Sequence, residues 1–127
     1  RLSTGAMEEV IATHPDIAEC AVIGTDDQLK GQLPVGLFVL KSGVERDIEE
    51  VKTELVKMVR EQIGAIACFK ESTAVGRLPK TRSGKILRGT MRSIASGKEY
   101  RMPSTIDDPV ILDEITETLK GMGYPSS

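Results

Sequence analysis

The chain has 127 residues, of which 39% are hydrophobic, and this length and composition suit one compact domain with an apolar core. Its formal net charge is −2, from 17 Lys and Arg against 19 Asp and Glu, so the chain as a whole has no general attraction for polyanions. Aromatic residues make up 3% of the sequence and Trp is absent, which leaves few side chains for stacking on nucleic-acid bases.

The N-terminal segment predicts a short helix. Ser3 or Thr4 can cap it, Glu8 and Glu9 stand in its first turns, where the helix dipole favours acids, and Pro15 marks its end.

Two apolar runs then predict a pair of strands. Residues 17–23 are short, apolar and partly β-branched, residues 24–30 are polar and turn-like, and residues 34–41 form the second run. A short polar connection between two such runs favours an antiparallel pair.

The central part of the chain predicts a helix, a strand, a loop and a further helix. Apolar residues recur at helical spacing over residues 47–62, and Gly64 follows as a stop signal. Residues 68–75 predict a third strand, residues 77–84 a loop rich in polar and turn-forming residues, and residues 86–95 another helix.

Residues 98–127 predict an irregular tail followed by a terminal helix that begins near Val110. Taken together, the elements predict an α+β fold with a small antiparallel sheet, about three strands plus a short hairpin, flanked by helices.

Positive charge is concentrated in residues 77–101, which carry eight cations and one acid, Glu99. Within this segment, Pro79 stiffens the backbone and Gly84 permits a positive φ, so Lys85 can be presented from a loop. Exposed loop N–H groups together with Lys and Arg are suited to a phosphate-bearing ligand.

The residues alone leave three interpretations of this segment open. It can be a solvated basic loop, a phosphate-binding loop, or part of a basic nucleic-acid-binding or interaction module without catalysis. The glycine spacing excludes a P-loop.

One stretch of this segment is Leu78-Pro79-Lys80-Thr81-Arg82-Ser83-Gly84-Lys85. It resembles the terminal signature of adenylate-forming enzymes, in the version typical of acetyl- and propionyl-CoA synthetases. Residues 1–4 resemble the end of that family's hinge motif, and residues 18–24, 30–31 and 59–64 follow in the family's order. The resemblance identifies residues 1–127 as the C-terminal (lid) domain of an AMP-forming short-chain acyl-CoA synthetase.

The resemblance implies a two-step ligase reaction. A short-chain carboxylate, propionate or acetate, attacks the α-phosphate of ATP to give an acyl-adenylate, and coenzyme A then displaces AMP. The small domain rotates between the two steps. Lys85 is expected to be the catalytic residue of the adenylation step and to contact the ATP or AMP phosphates.

Further residue roles follow from the resemblance. Arg1 matches an arginine that contacts the nucleotide phosphates, and Arg60 matches an arginine that binds a phosphate of coenzyme A. His14 matches a histidine that can lie beside a bound cation, but we expect a plain helix-end histidine and no metal site in this chain. Ala6 departs from the family, in which a glutamate is common at this position.

The implied cofactors and partners lie mostly outside the chain. ATP, coenzyme A and Mg²⁺ would be bound mainly by a large N-terminal domain of the same enzyme, and Lys85 could be modified by lysine acylation and deacylation enzymes. We expect no nucleic-acid or membrane partner, since no apolar stretch approaches the roughly 20 residues that span a bilayer.

Cys20 and Cys68 lie in apolar runs, which indicates reduced thiols and a cytoplasmic or mitochondrial-matrix location.

Overall fold

The computed structural model describes residues 3–27 and 31–125. Four helices and three strands follow in this order: α1 (Thr4–Ala12), β1 (Ile17–Asp27), β2 (Gly31–Leu40), α2 (Ile48–Gln62), β3 (Glu71–Ala74), α3 (Arg88–Ala95) and α4 (Val110–Gly121), with a 3₁₀ turn at Ala65–Ala67 after α2. The predicted α+β class is therefore confirmed.

The sheet has the order β1-β2-β3, and its two pairings differ in direction. Strands β1 and β2 are antiparallel, with Cys20 opposite Phe38, as the sequence predicted. Strand β3 lies parallel to β2, with Val35 opposite Glu71, so the expectation of a wholly antiparallel sheet is wrong. The physical reason is the connection: helix α2 carries the chain from the end of β2 back across the sheet, and such a crossover returns the next strand in parallel.

The first two strands extend further into polar sequence than the two apolar runs suggested. The turn predicted at residues 24–30 starts later, because β1 continues to Asp27 and β2 starts at Gly31. A polar residue is accommodated there because the buried Thr25 hydroxyl donates a hydrogen bond to the Leu33 carbonyl at 3.0 Å. Residues 28–30 lie outside the described part.

The helix caps differ in chemistry. The Asp47 carboxylate accepts the Glu49 N–H at 3.1 Å and so caps α2. Ser3 stands at the N-cap position of α1, but its side chain makes no capping hydrogen bond. Helix α1 is instead fixed by its buried face, which includes Met7, Val10 and Ile11.

The alternation of side chains along the strands produces a core on each face of the sheet. On one face, Cys20, Val22 and Phe38 pack with α1 and α2. On the other face, Ile23 and Leu37 pack with the buried residues of α3 and α4. Across residues 3–27 and 31–125, no helix combines the length and apolar character needed to cross a membrane.

Candidate functional site around Lys85

The residues from 80 to 86 form a closed turn, which we call the Lys85 loop. Lys80 and Ile86 make an antiparallel bridge at its base, and the Leu87 N–H donates to the Pro79 carbonyl at 2.9 Å. At the tip, Gly84 has a φ of 92°, a conformation that favours glycine, and this explains its place in the sequence motif. The loop is thus a small hairpin-like structure.

Thr81 and Lys85 hold the turn together from opposite sides. The Thr81 N–H donates to the Lys85 carbonyl at 2.9 Å, and the Lys85 N–H donates to the Thr81 hydroxyl at 3.1 Å. The Thr81 hydroxyl also lies 2.9 Å from that of Ser83. The backbone of Lys85 is therefore fixed while its side chain is exposed, and its ammonium makes no hydrogen bond or ion pair with any residue that the structure describes.

Carboxylates on other elements hold the two ends of the loop. At the start, the Lys80 ammonium lies 2.5 Å from a carboxylate oxygen of Glu19 in β1. Just after the loop, the Arg88 guanidinium donates two hydrogen bonds to Glu8 in α1, at 2.6 and 2.7 Å. Lys80 and Arg88 are thus neutralised, whereas the exposed side chains of Arg82 and Lys85 have no carboxylate partner among the described residues.

The Glu8 carboxylate is the centre of a part-buried network. It also accepts the N–H of Val22 at 2.9 Å, and so satisfies a backbone donor at the outer edge of β1. The hydrogen bonds that Arg88 donates to the Glu8 carboxylate raise the pKa of Arg88. Burial, with a further contribution from the Glu8 charge, raises the pKa of the Cys20 thiol to about 11, so this thiol is protonated at neutral pH.

A segment of the tail lies along the outer side of the Lys85 loop. Thr81 and Ile106 form an antiparallel bridge. On either side of it, the Arg82 N–H donates to the Thr105 carbonyl at 2.8 Å, and the Asp107 N–H donates to the Lys80 carbonyl at 2.9 Å. The loop therefore has a neighbouring extended segment that the irregular sequence of the tail did not reveal.

The basic segment is less basic in three dimensions than in the sequence. Arg77 donates hydrogen bonds of 2.7 Å to both Asp108 and Glu114, and these bonds raise its pKa. The same contact with Arg77 lowers the pKa of Asp108. Three of the eight cations in residues 77–101, Arg77, Lys80 and Arg88, are thus paired with carboxylates, which lowers the free positive charge of this segment.

The other residues singled out from the sequence lie elsewhere. Arg60 is exposed at the C-terminal turn of α2 and lines a small concavity together with Lys70 and Gly64. Because α2 packs on the face of the sheet opposite α3, the structure does not place Arg60 on the same layer as the Lys85 loop. Arg1 lies outside the described residues.

His14 is buried and has a structural set of partners. Its Nδ1 accepts the Asp16 N–H at 3.1 Å, so Nε2 carries the proton that is shared with Glu54 at 2.6 Å. Arg46 completes the cluster by bonding both Glu54 and Asp16. These contacts join the start of β1 to α2 and account for a histidine at the end of α1.

Sequence reasoning missed the groups that fix the loop. Glu8 and Glu19 lie in other elements, and nothing in a linear pattern pairs them with Arg88 and Lys80. The one available signal is the position of Glu19, a charged residue inside the apolar run of residues 17–23, where a carboxylate needs a partner.

Comparison with known proteins agrees with this architecture. Residues 6–85 match the model of the family described as AMP-binding enzyme C-terminal domain. The acyl-CoA synthetase short-chain family member B, mitochondrial, of Dictyostelium discoideum is 55% identical over 115 residues, which are 91% of this chain and 17% of that protein. The chain belongs to the family of C-terminal domains of AMP-binding enzymes.

Solved structures show the same fold. An acyl-CoA synthetase of Brucella canis is 32% identical, with a TM-score of 0.67 over 73% of this chain and 17% of its own. An acetoacetyl-CoA synthetase of Streptomyces lividans has a TM-score of 0.77 over 96% of this chain and 18% of its own, and at 19% identity it shows the fold alone. The chain thus spans less than a fifth of the length of the proteins it matches.

Proposed function

We propose that this chain is the lid domain of an AMP-forming short-chain acyl-CoA synthetase, and that Lys85 serves its adenylation step. The observation that carries the proposal is the exposed Lys85 ammonium, which has no partner among the described residues and stands on a closed loop whose two ends are held by the Lys80–Glu19 and Arg88–Glu8 ion pairs. The resemblance of the loop to the signature of acetyl- and propionyl-CoA synthetases points to a short carboxylate as the substrate.

In the first step, a carboxylate oxygen attacks the α-phosphorus of ATP, and the bond to pyrophosphate breaks. Two anions must approach each other, and the Lys85 ammonium lowers the barrier by offsetting their repulsion as charge develops. One cation–anion pair at about 4 Å and an effective dielectric of about 20 corresponds to roughly 4 kcal/mol. That energy is worth about a thousandfold in rate.

In the second step, the thiol of coenzyme A attacks the acyl carbonyl, the thioester bond forms and AMP leaves. Arg60 binds a phosphate of coenzyme A in this proposal. The Lys85 loop and α2 belong to opposite layers of one small domain, which supports a rotation that presents them in turn to the large domain. Arg1 is proposed as a further contact to the nucleotide phosphates.

The remaining components lie mostly outside the chain. Mg²⁺ would be held with ATP by the large N-terminal domain; the described residues offer no cluster of three or more His, Cys, Asp or Glu for a metal ion, and no step above depends on one. Lys85 is accessible to lysine acylation, which would remove its charge. Free thiols at Cys20 and Cys68, and the mitochondrial name of the Dictyostelium relative, support the cytoplasm or the mitochondrial matrix as the compartment.

The test separates the two half-reactions in the full-length protein that contains this chain. Pyrophosphate release is measured with ATP and either propionate or acetate, and thioester formation is measured from supplied acyl-adenylate and coenzyme A. Lys85→Ala should reduce the first rate by about a thousandfold and leave the second near that of the parent protein.

Arg101→Ala is the matched control, because Arg101 is an exposed cation of the same basic segment outside the loop. It should leave both rates unchanged. An equal loss of both half-reactions in Lys85→Ala would refute the adenylation role. A parent protein that binds generic RNA, with a steep dependence on salt, and releases no pyrophosphate would refute the enzyme assignment.

A further inference from the structure

We propose that residues 105–107, which we call the brace, position Lys85 for adenylation by holding the outer strand of the Lys85 loop. The inference rests on the proposed function of Lys85. The brace lies beyond residues 6–85, the part that matches the family model, so its role is not carried by that match.

The contact between brace and loop is made by the backbone. The Arg82 N–H donates to the Thr105 carbonyl, and the Asp107 N–H donates to the Lys80 carbonyl, at 2.8 and 2.9 Å. Between these two bonds, Thr81 stands opposite Ile106 in an antiparallel bridge. The loop strand from Lys80 to Arg82 is thereby paired on both sides, with Lys85 and Ile86 on its inner side and the brace on its outer side.

The brace is itself fixed at its central residue and just beyond its C-terminal end. The Ile106 side chain is buried in the core that also contains Leu78 and Met91. Immediately after the brace, the Asp108 carboxylate bonds to Arg77 at 2.7 Å and accepts the Val110 N–H at 3.1 Å at the start of α4. Because the brace is anchored in the core and next to the start of α4, it fixes the loop relative to both.

One residue, Thr81, connects the brace to Lys85. Thr81 faces the brace on one side and exchanges two hydrogen bonds with Lys85 on the other. The base of the loop is also held by the Lys80–Glu19 ion pair, but the tip from Arg82 to Lys85 is exposed. Loss of the brace should therefore let the tip move while the sheet and helices remain folded.

The test removes one brace hydrogen bond in the full-length protein. Asp107→Pro deletes the N–H that donates to Lys80, and Asp107→Ala keeps this N–H and removes only an exposed carboxylate. Asp107→Pro should lower the adenylation rate about tenfold, with thioester formation from supplied acyl-adenylate within about twofold of the parent. Asp107→Ala should match the parent in both rates.

Hydrogen exchange gives a second readout that does not depend on catalysis. In Asp107→Pro, peptides covering residues 79–87 should exchange faster, whereas peptides from β1 and β2 should exchange as in the parent. If Asp107→Pro lowers folded yield, Ile106→Val is the milder variant, with an expected loss of about threefold in adenylation and the same local change in exchange.

The outcomes separate this inference from the proposed function. Suppose that Lys85→Ala loses adenylation selectively, and that the brace variants either change neither half-reaction or slow both in the same proportion. The brace then has no positioning role, and the proposed function stands. If Lys85→Ala loses both half-reactions equally, the proposed function fails and the catalytic part of the inference fails with it. If hydrogen exchange over residues 79–87 is unchanged in Asp107→Pro, the brace does not hold the loop, whatever the two rates are.

Discussion

Glu8 and Arg88 are 80 positions apart in the sequence and are joined by two hydrogen bonds of 2.6 and 2.7 Å. The carboxylate of Glu8 also accepts the Val22 N–H at 2.9 Å, so one side chain connects α1, the outer edge of β1 and the start of α3. Because α3 directly follows the Lys85 loop, this connection fixes the C-terminal end of the loop relative to β1 and α1.

Glu8→Ala should therefore destabilise the chain. The substitution leaves the Val22 N–H and the Arg88 guanidinium without their shared acceptor, and the expected loss is about 2 kcal/mol in the free energy of unfolding. Urea denaturation of the chain measures it. Glu9→Ala is the control, because Glu9 is an exposed neighbour with no partner among the described residues, and a loss of similar size in Glu9→Ala would contradict this account.

The sequence was sufficient to predict the fold class and the candidate loop, because both depend on local patterns. Helical spacing over residues 47–62 became α2, and the proline, glycine and lysine spacing of residues 78–85 became the closed turn that presents Lys85. The direction of β3 was predicted wrongly because it depends on the route of the chain through α2, and no property of residues 71–74 records that route.

The partners of the loop could not be predicted for a related reason. The ion pair between Lys80 and Glu19 joins residues that are 61 positions apart, and the brace has neither apolar alternation nor helical spacing. A sequence pattern identifies which groups carry charge, but the pairing of those groups is decided by the packing of separate elements.

Arg60→Ala should weaken the use of coenzyme A in the full-length protein. Arg60 and Lys70 are exposed cations beside one small concavity, and removal of a charge-assisted bond to a phosphate should raise the KM for coenzyme A about tenfold or more. The KM for ATP should not change. The control is Lys57→Ala, because Lys57 is an exposed cation one turn earlier on α2. A rise in the KM for ATP in Arg60→Ala would show that Arg60 does not act on coenzyme A alone.

The cluster around His14 predicts a loss of stability in acid. Hydrogen bonds from Arg46, and then from His14, lower the pKa of Glu54 from 4.5 to about 2. Because this pKa is depressed in the folded state, the contribution of Glu54 to stability is complete above pH 4.5 and is lost as the pH falls towards 2. The Glu54 side chain is 43% exposed, so solvent screening reduces the size of the effect.

The measurement is the urea midpoint of the parent chain and of Glu54→Gln between pH 5 and pH 2. The difference in midpoint between the two proteins should shrink as the pH falls, because the glutamine cannot titrate. Parallel curves across this range would show that the Glu54 carboxylate does not contribute to the pH dependence.

Gly36 in the middle of β2 should not tolerate even one added methyl group. A Cβ at this position would lie 2.8 Å from Cζ of Phe69 and 3.4 Å from Cβ of Ser72, and the Phe69 ring is buried with 4% of its surface exposed. Gly36→Ala should therefore cost about 1–3 kcal/mol in the free energy of unfolding, as overpacking of a core does.

The double variant tests whether the ring is the cause. Phe69→Leu removes the ring and should itself be destabilising, but in that background Gly36→Ala should cost at least about 1 kcal/mol less than it does alone. Thermal or urea unfolding of the four proteins of the cycle gives the coupling. Additive effects would mean that the intolerance at Gly36 comes from the backbone of β2 and not from the packing of Phe69 between the sheet and α2.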